Sequence, residues 1–529
     1  MGATATAPGR NSEWKPRHNV WLIAISVMLA TSMEVLDTSV ATVSLPHIAG
    51  SLSATTDEST WVLTSYLISN AIVLPLSGWL SSVMGRQRYQ LLSVGIFTLA
   101  SMWCGAASSL GMLIVARVVQ GAAGGGLQPV SQAVLLESFP VHKRGQAMAV
   151  YTMAIIVSPL IGPLVGGWIT DSYTWRWIFY INVPIGILAL WMISTFVEDP
   201  PYIARRVKSG VDYWGLGLLA IMLTCFQVVL DKGQEADWFG ALWVRYFVVI
   251  AVVAMIGFIM RELRTGAPIV NLKILANHNL ATGTFLIGVL GVIIYGTTTM
   301  LPLFLQDLIG YTAFNSGLAV APRGIGAIVS IVLAGNLIGR YDERLLIILG
   351  LVIRGISLLM LGHLNLEMGM TSVIWPNIIN GFANGFLTVP LTTLTMKTLP
   401  RELLGAGTGL YNLLRNLGGS FGISMVTTLL TRDEQRHQTY QGAHLTAPNP
   451  VYWMRTQQLL HYLAVQRGPA AGRETLGLIY QQLQQQATLL SYTDDFRLLG
   501  YISFFCIPFL LFFRNTDGGS RAKASQILD

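Results

Sequence analysis

Two carboxylates interrupt the first long apolar run of this chain. Glu34 and Asp37 lie in Met33-Glu34-Val-Leu-Asp37-Thr-Ser39-Val40, inside a stretch from Val20 to Ile48 that holds no other carboxylate, lysine or arginine. A spacing of three puts both side chains on one helix face. Lipid does not solvate a carboxylate: a charge at the bilayer centre costs roughly 2.5–3.5 kcal/mol on insertion scales. Such groups face a protein interior or a wet cavity. Burial and mutual repulsion both favour the neutral form of a carboxyl group, so the pair is suited to taking up and releasing a proton. The alternative is a structural pair, hydrogen-bonded to Thr38 or to an arginine of a neighbouring helix. Asp37 is the stronger proton carrier of the two, because Glu34 can reach towards an aqueous vestibule.

Arg117 is the third charged group of this kind, in Leu113-Ile-Val-Ala-Arg117-Val-Val-Gln120-Gly121. A guanidinium stays charged and needs an anionic or carbonyl partner. Asp37 is the nearest candidate in topology, and carbonyls at a helix end are the alternative. Further along, Ser158-Pro159-Leu-Ile-Gly162-Pro163-Leu-Val-Gly166-Gly167 combines glycines four apart with two prolines. Glycines permit close helix packing, and proline frees backbone carbonyls. This segment suits either a helix that bends and seals or a tightly packed structural one. Arg354 and Arg415 are candidate cavity-lining residues; His363 and Glu367, near a helix end, read as structural.

These residues must be positioned by membrane helices. The 529 residues are 53% hydrophobic and only 11% charged, with a mean hydropathy of +0.56, whereas soluble domains carry about 25% charged residues. Fourteen segments are apolar enough for about 20 residues each, the length a spanning helix needs. The expectation is an all-α membrane protein with 14 transmembrane helices: two six-helix bundles plus two inserted helices. In detail it has a cytoplasmic N-terminus over 1–19, an N-terminal bundle over 20–197 and a linker with two extra helices over 198–275. A C-terminal bundle over 276–514 and a cytoplasmic tail over 515–529 complete it.

The net charge of +7 reads as membrane topology rather than as nucleic-acid binding. With the N-terminus inside, the inward loops collect Arg86, Arg88, Lys143, Arg144, Arg261, Arg264, Arg340, Arg344 and Lys397. The short outward loops hold only Arg176, Lys232 and Arg245. This is the positive-inside bias, with both termini cytoplasmic. Gly78-Trp-Leu80 through Gly85-Arg86 and Gly335-Asn-Leu337-Ile-Gly339-Arg340 are glycine-rich helix ends running into basic turns, a weak internal symmetry between the halves. Residues 432–494 break the pattern as a long outward loop, with Leu476, Ile479, Leu483 and Leu490 at amphipathic spacing. Cys104, Cys225 and Cys506 sit in apolar stretches without metal-ligand spacing. No Walker loop or HExxH occurs, and neither an enzyme nor an ATP-driven pump is expected of this chain.

These motifs together resemble the major facilitator superfamily, in its fourteen-helix drug:proton antiporter branch, close to EmrB-like exporters. Leu36-Asp37-Thr38-Ser39-Val40 through Leu45-Pro46 is similar to that branch's helix 1. Arg117 with Gln120-Gly121 is similar to the helix 4 motif, and Gly162-Pro163-Leu-Val-Gly166-Gly167 to the antiporter motif. Trp175-Arg176-Trp177-Ile-Phe179-Tyr-Ile-Asn182-Val-Pro184-Ile-Gly186 and Arg415-Asn-Leu-Gly418-Gly419 resemble later signatures of the same branch. One departure stands out: in the cytoplasmic loop motif Gly78…Gly85-Arg86, Ser82 occupies the usual aspartate position and Val83 the usual arginine.

The resemblance implies a multidrug exporter driven by the proton gradient, without another cofactor, working by alternating access. It implies amphipathic or hydrophobic substrates and a Gram-negative inner membrane. It also implies a periplasmic membrane-fusion adaptor with a TolC-like outer-membrane channel, for which 432–494 is a candidate contact. Asp37 and Arg117 lie in the matching motifs and are the implied proton-coupling residues; Glu34 lies outside the helix 1 signature and is expected to tune the proton site or favour cationic substrates. An exporter of one endogenous metabolite, fatty acid or siderophore is the alternative, and a non-transporting assembly or sensor protein the third reading.

Overall fold

The computed structural model describes residues 16–140, 143–200, 212–234, 236–266, 268, 270–400, 403–446, 448–467 and 471–513. The expected cytoplasmic tail, and most of the expected cytoplasmic N-terminus, lie outside them. The first half contains α1 (Val20–Ser51), α2 (Thr56–Met84), α3 (Arg86–Gly105), α4 (Leu110–Gly124), α5 (Leu127–Ser138), α6 (Arg144–Ser172), α7 (Trp177–Tyr180) and α8 (Asn182–Phe196). Two helices follow, α9 (Tyr213–Lys232) and α10 (Leu242–Arg264). The remainder is α11 (His278–Leu303), α12 (Ala313–Val320), α13 (Pro322–Leu337), α14 (Glu343–Leu361), α15 (Thr371–Met396), α16 (Leu404–Gly442), α17 (Pro450–Arg467) and α18 (Ala471–Phe505).

Ten spans among the described residues are long and apolar enough to cross a membrane. The other expected spans correspond to α3, α6, α15 and α16. Some expected single helices are broken. The fourth divides into α4 and α5 around Gly125 and Gly126, and the sixth turns at Ile181 between α7 and α8.

Local chemistry sets the boundaries. Asn19 caps α1 by accepting from the Trp21 amide, and Thr55 forms a reciprocal capping box with Glu58 at the start of α2. Gly85 has φ of +93°, which ends α2 and starts α3 in a conformation that only glycine adopts readily. A carboxylate oxygen of Asp199 accepts from the Gln87 amide at 2.9 Å, complementing the positive end of α3. At the head of α9, Asp212 accepts from the Gly215 amide at 3.1 Å and from Arg261 Nε at 2.9 Å. Arg261 thereby holds the Asp212 carboxyl below the usual carboxylate range.

The chain forms two compact units. The first comprises Met1–Ala220, Ile256–Ile274 and Leu399–Asn412; the second comprises Ile221–Met255, Leu275–Thr398 and Leu413–Asp529. The expected linker is therefore shared: α9 and α10 each contribute residues to both units, as does α16.

The expected outward segment 432–494 is helical over most of its described length, and the amphipathic spacing at Leu476–Leu490 falls within α18. α16 runs on to Gly442, α17 lies between, and α18 begins at Ala471. α16 has 39 residues, or about 58 Å at about 1.5 Å per residue, while the hydrocarbon core of a bilayer is only about 30 Å thick. The surplus pairs with the first turns of α18: Gln438 donates to the Tyr480 hydroxyl at 2.9 Å, and Thr488 donates to Glu434 at 2.7 Å. The buried stripe of α18 runs through Thr475, Ile479 and Ala487, while Leu476 is exposed. Of the residues at amphipathic spacing, Ile479 is buried and Leu483 and Leu490 are half-buried, so Leu476 alone departs from the expected face.

Asp37 is positioned by the seam between α1 and α6. A Cβ added at Gly162 would approach Ser39 Cβ to 2.6 Å, and one at Gly166 would approach Val40 Cγ1 to 2.9 Å. Pro163 has no N–H to give the Pro159 carbonyl four residues back, and Ser39 Oγ donates to that carbonyl instead at 3.2 Å. Ser44 and Thr170 are hydrogen-bonded through their hydroxyls at 2.9 Å. Gly167 faces open space, so it takes no part in the close approach expected of it. Gly166→Leu should therefore lower the thermal unfolding midpoint of the solubilised chain, equivalent to about 1–3 kcal/mol of overpacking. Gly167→Ala should leave the midpoint unchanged or raise it by up to about 1 kcal/mol equivalent. Equal responses at the two glycines would show that the seam is not close-packed.

Candidate functional site

The first unit buries a charged cluster drawn from five helices. Arg117 on α4 is fully buried and Asp37 on α1 is 2% exposed. Arg117 Nη1 donates to Asp37 Oδ2 at 2.5 Å. The other carboxylate oxygen accepts from Gln120 Nε2 on α4 at 2.9 Å and from Asn182 Nδ2 at the head of α8 at 2.6 Å. Ser101 Oγ on α3 accepts from the same Gln120 and Asn182 amides, at 2.7 and 3.3 Å. Arg117 Nε donates to the Val62 carbonyl of α2 at 3.0 Å. Its guanidinium carbon stands 4.2 Å from the centre of the Tyr66 ring, a cation–π geometry.

The donors decide what this cluster can do. Each of these contacts to Asp37 comes from an N–H group, and an ionised carboxylate only accepts. Adding a proton would set an O–H against N–H donors and weaken the charge attraction to Arg117. The cluster then has to rearrange. Protonation of Asp37 would therefore disturb bonds that join α1 to α4 and α8.

Glu34 shares the helix face with Asp37, and its carboxylate is held from α2. It is 5% exposed, and its carboxylate accepts from Asn70 Nδ2 on α2 at 3.1 Å. Thr38 donates to the backbone carbonyl of Glu34 at 3.2 Å rather than to its carboxylate. The close approach of α4 maintains this region: a Cβ on Gly124 would meet the Glu34 side chain at 3.3 Å.

Asn182 and Ser101 escaped the sequence reading as site residues. Asn182 stands in the quoted Trp175–Gly186 motif, and an amide inside an apolar run was its signal. The motif also explains its placement. Arg176 donates to the Ala107 carbonyl at 2.9 Å and lies over the Trp175 ring at 4.5 Å, tying the turn before α7 to the end of α3.

At the cytoplasmic loop motif, Arg86 is 2% exposed and pairs with Glu137 of α5, with 2.8 Å between Nη2 and Oε1. It also donates to Ser81. Ser82, in the usual aspartate position, donates only to the Trp79 carbonyl of its own helix at 2.7 Å, and Val83 is exposed. The charge pairing of this turn thus runs through Glu137 instead. Gly78 permits the start of α16 to approach, since an added Cβ would lie 2.6 Å from the Gly405 carbonyl oxygen.

In the second unit, Arg354 of α14 has no exposed surface and donates to Asn384 of α15; it does not line an open cavity as expected. Arg415 is half-buried on α16, with its carbonyl packed on Gly291 of α11. The cysteines Cys104, Cys225 and Cys506 are buried and free, and Cys104 donates to Gln120 at 3.4 Å.

Removing one member of the buried Arg86–Glu137 pair, as in Glu137→Gln, should destabilise the chain by about 3–5 kcal/mol. Replacing both, as Arg86→Met with Glu137→Leu, should recover much of the loss. Thermal unfolding of the single and double variants measures the coupling, and additive losses would mean that the pair does not interact.

Comparison with known proteins agrees with this architecture. Residues 27–423 match the Major Facilitator Superfamily. The chain is 36% identical over 477 residues to the multidrug export protein EmrB of Escherichia coli (strain K12), covering 90% of this chain and 91% of that protein. It is 36% identical over 483 residues to the fatty acid resistance protein FarB of Neisseria gonorrhoeae, covering 91% and 93%. The fold is similar to that of the proton:xylose symporter XylE, with a TM-score of 0.60 at 14% identity, over 93% of this chain and 95% of that one. The chain belongs to the Major Facilitator Superfamily, among its EmrB-like multidrug efflux transporters, and is a multi-pass membrane protein.

Proposed function

We propose that this transporter is a drug:proton antiporter in which Asp37 is the coupling carboxylate and Arg117 its counter-charge. The observation that carries the reading is the buried Asp37 carboxylate, held on both oxygens by N–H donors. A proton arriving on Asp37 from outside neutralises the carboxylate and loosens Arg117, Gln120 and Asn182. Release of that proton to the inside restores the cluster while drug is loaded, and the proton gradient drives the cycle without another cofactor. A ligand or a proton shifts such an equilibrium only through its differential affinity for the two states. Glu34 modulates the site and favours cationic substrates.

The transporter acts in a Gram-negative inner membrane with both termini cytoplasmic, as the distribution of arginine and lysine indicates. The helical hairpin formed by the ends of α16 and α18, with α17, is the segment that meets a periplasmic membrane-fusion adaptor. Through it the transporter passes drug to a TolC-like channel. The similarity to a fatty acid resistance protein favours a second reading, in which one amphipathic acid is the main substrate.

In proteoliposomes, Asp37→Asn should abolish drug transport driven by a pH gradient and the accompanying proton flux, reducing both to the level of protein-free vesicles. Glu34→Gln should retain coupling and change selectivity between cationic and neutral drugs. Undiminished coupled transport by Asp37→Asn would refute the assignment.

A further inference from the structure

The second unit contains buried cationic groups that the coupling scheme leaves unused. Arg354 has no exposed surface and Arg323 of α13 is 8% exposed. Among the described residues, neither is paired with a carboxylate. Arg323 Nη1 donates to Thr298 Oγ1 of α11 at 3.0 Å, and Arg354 Nη2 donates to Asn384 Oδ1. Arg354 Nε and Nη1 have no hydrogen-bond partner. Both side-chain polar atoms of Asn380, which is fully buried, are likewise without one.

Helix packing gathers these groups into one place. Ser357 Oγ of α14 donates to the Pro376 carbonyl of α15 at 2.6 Å. A Cβ on Gly350 would meet Leu387 at 2.8 Å. These two contacts bracket Arg354 and set it opposite the 380–384 turn of α15. From the other side, the backbone of Arg323 lies directly against Gly381. Removing a guanidinium from water costs several kcal/mol unless an opposite charge or a full set of acceptors compensates it. Arg117 in the first unit has Asp37 for that purpose, and Arg354 has a single amide oxygen.

We propose that Arg354, Asn380 and Asn384, with Arg323 beside them, form a buried binding site for a small monovalent anionic group. The guanidinium supplies two free N–H directions and the Asn380 amide a further donor, the pattern that a carboxylate or a halide satisfies. A carboxylate would be the head of an amphipathic acid, and a halide would come from the medium. This assignment concerns binding alone and stands or falls separately from proton coupling through Asp37.

The test uses the purified full-length protein in detergent, in a chloride-free buffer of a bulky sulfonate salt. Its thermal unfolding midpoint is titrated with potassium chloride, with octanoate and with uncharged octanamide. A saturable rise of at least about 3 °C is expected for chloride or octanoate and none for octanamide. Saturation by chloride assigns a halide, and saturation by octanoate alone assigns the carboxylate head. Arg354→Gln should raise the apparent Kd at least about tenfold, as loss of a charged hydrogen-bond donor does, and Arg354→Lys should retain part of the affinity. Asn380→Ala guards against misfolding: it removes no protein hydrogen bond, so the anion-free midpoint should hold while anion binding weakens. The proposal fails if neither anion stabilises the wild type, or if the stabilisation persists unchanged in Asn380→Ala and Arg354→Gln.

Discussion

A buried guanidinium tolerates very little imprecision around it, and Arg117 sets that requirement for the whole first unit. Its charge is compensated only where Asp37 lies, 2.5 Å away. Its Nε finds an acceptor only in the Val62 carbonyl, and its face rests on Tyr66. The Asp37 carboxylate in turn draws in Gln120 and Asn182, and both amides converge on Ser101. Helices α1, α2, α3, α4 and α8 must therefore meet around one ion pair and the groups hydrogen-bonded to it. In a low-dielectric interior the penalty for missing any of these contacts is large, which is why the small residues of the surrounding helices matter. Glycines at 162 and 166 bring α6 against α1 at Ser39 and Val40, one turn from the charged pair.

Both units solve the same electrostatic problem, but differently. In the first, positive charge is neutralised inside the protein, by Asp37 at Arg117 and by Glu137 at Arg86. In the second, Arg354 and Arg323 sit among amides and a hydroxyl, without a carboxylate partner among the described residues. The first arrangement balances charge within the protein, whereas the second leaves Arg354 Nε and Nη1 without a hydrogen-bond partner.

The surplus length of α16 and α18 serves another purpose. Side-chain bonds such as Gln438 to Tyr480 and Thr488 to Glu434 hold the two helix ends together beyond the length a bilayer needs. Exposed aromatic residues, including Tyr440, Trp453 and Tyr462, occupy these helices and α17. A continuous helical projection presents such side chains at fixed spacing, which a flexible loop does not.

Hydropathy alone determined that the chain is a polytopic helical membrane protein, because lipid selects on composition and length. The cost of charge in an apolar run was equally legible, and it singled out Glu34, Asp37 and Arg117. What the linear order left hidden were partners brought together from distant segments. Asn182 lies 145 positions from Asp37, and Glu137 is 51 positions from Arg86; no local spacing connects them. In the 432–494 segment the amphipathic spacing at Leu476–Leu490 is legible, whereas the run of α16 on to Gly442 depends on backbone bonding and on its contacts with α18. Gly167 read as part of a packing motif, and only the orientation of α6 shows that it faces open space. Residue type and position along an apolar run already mark the groups too costly to leave without a role. Which neighbours hold them depends on how the helices converge, because burial and hydrogen bonding are not properties of any one segment.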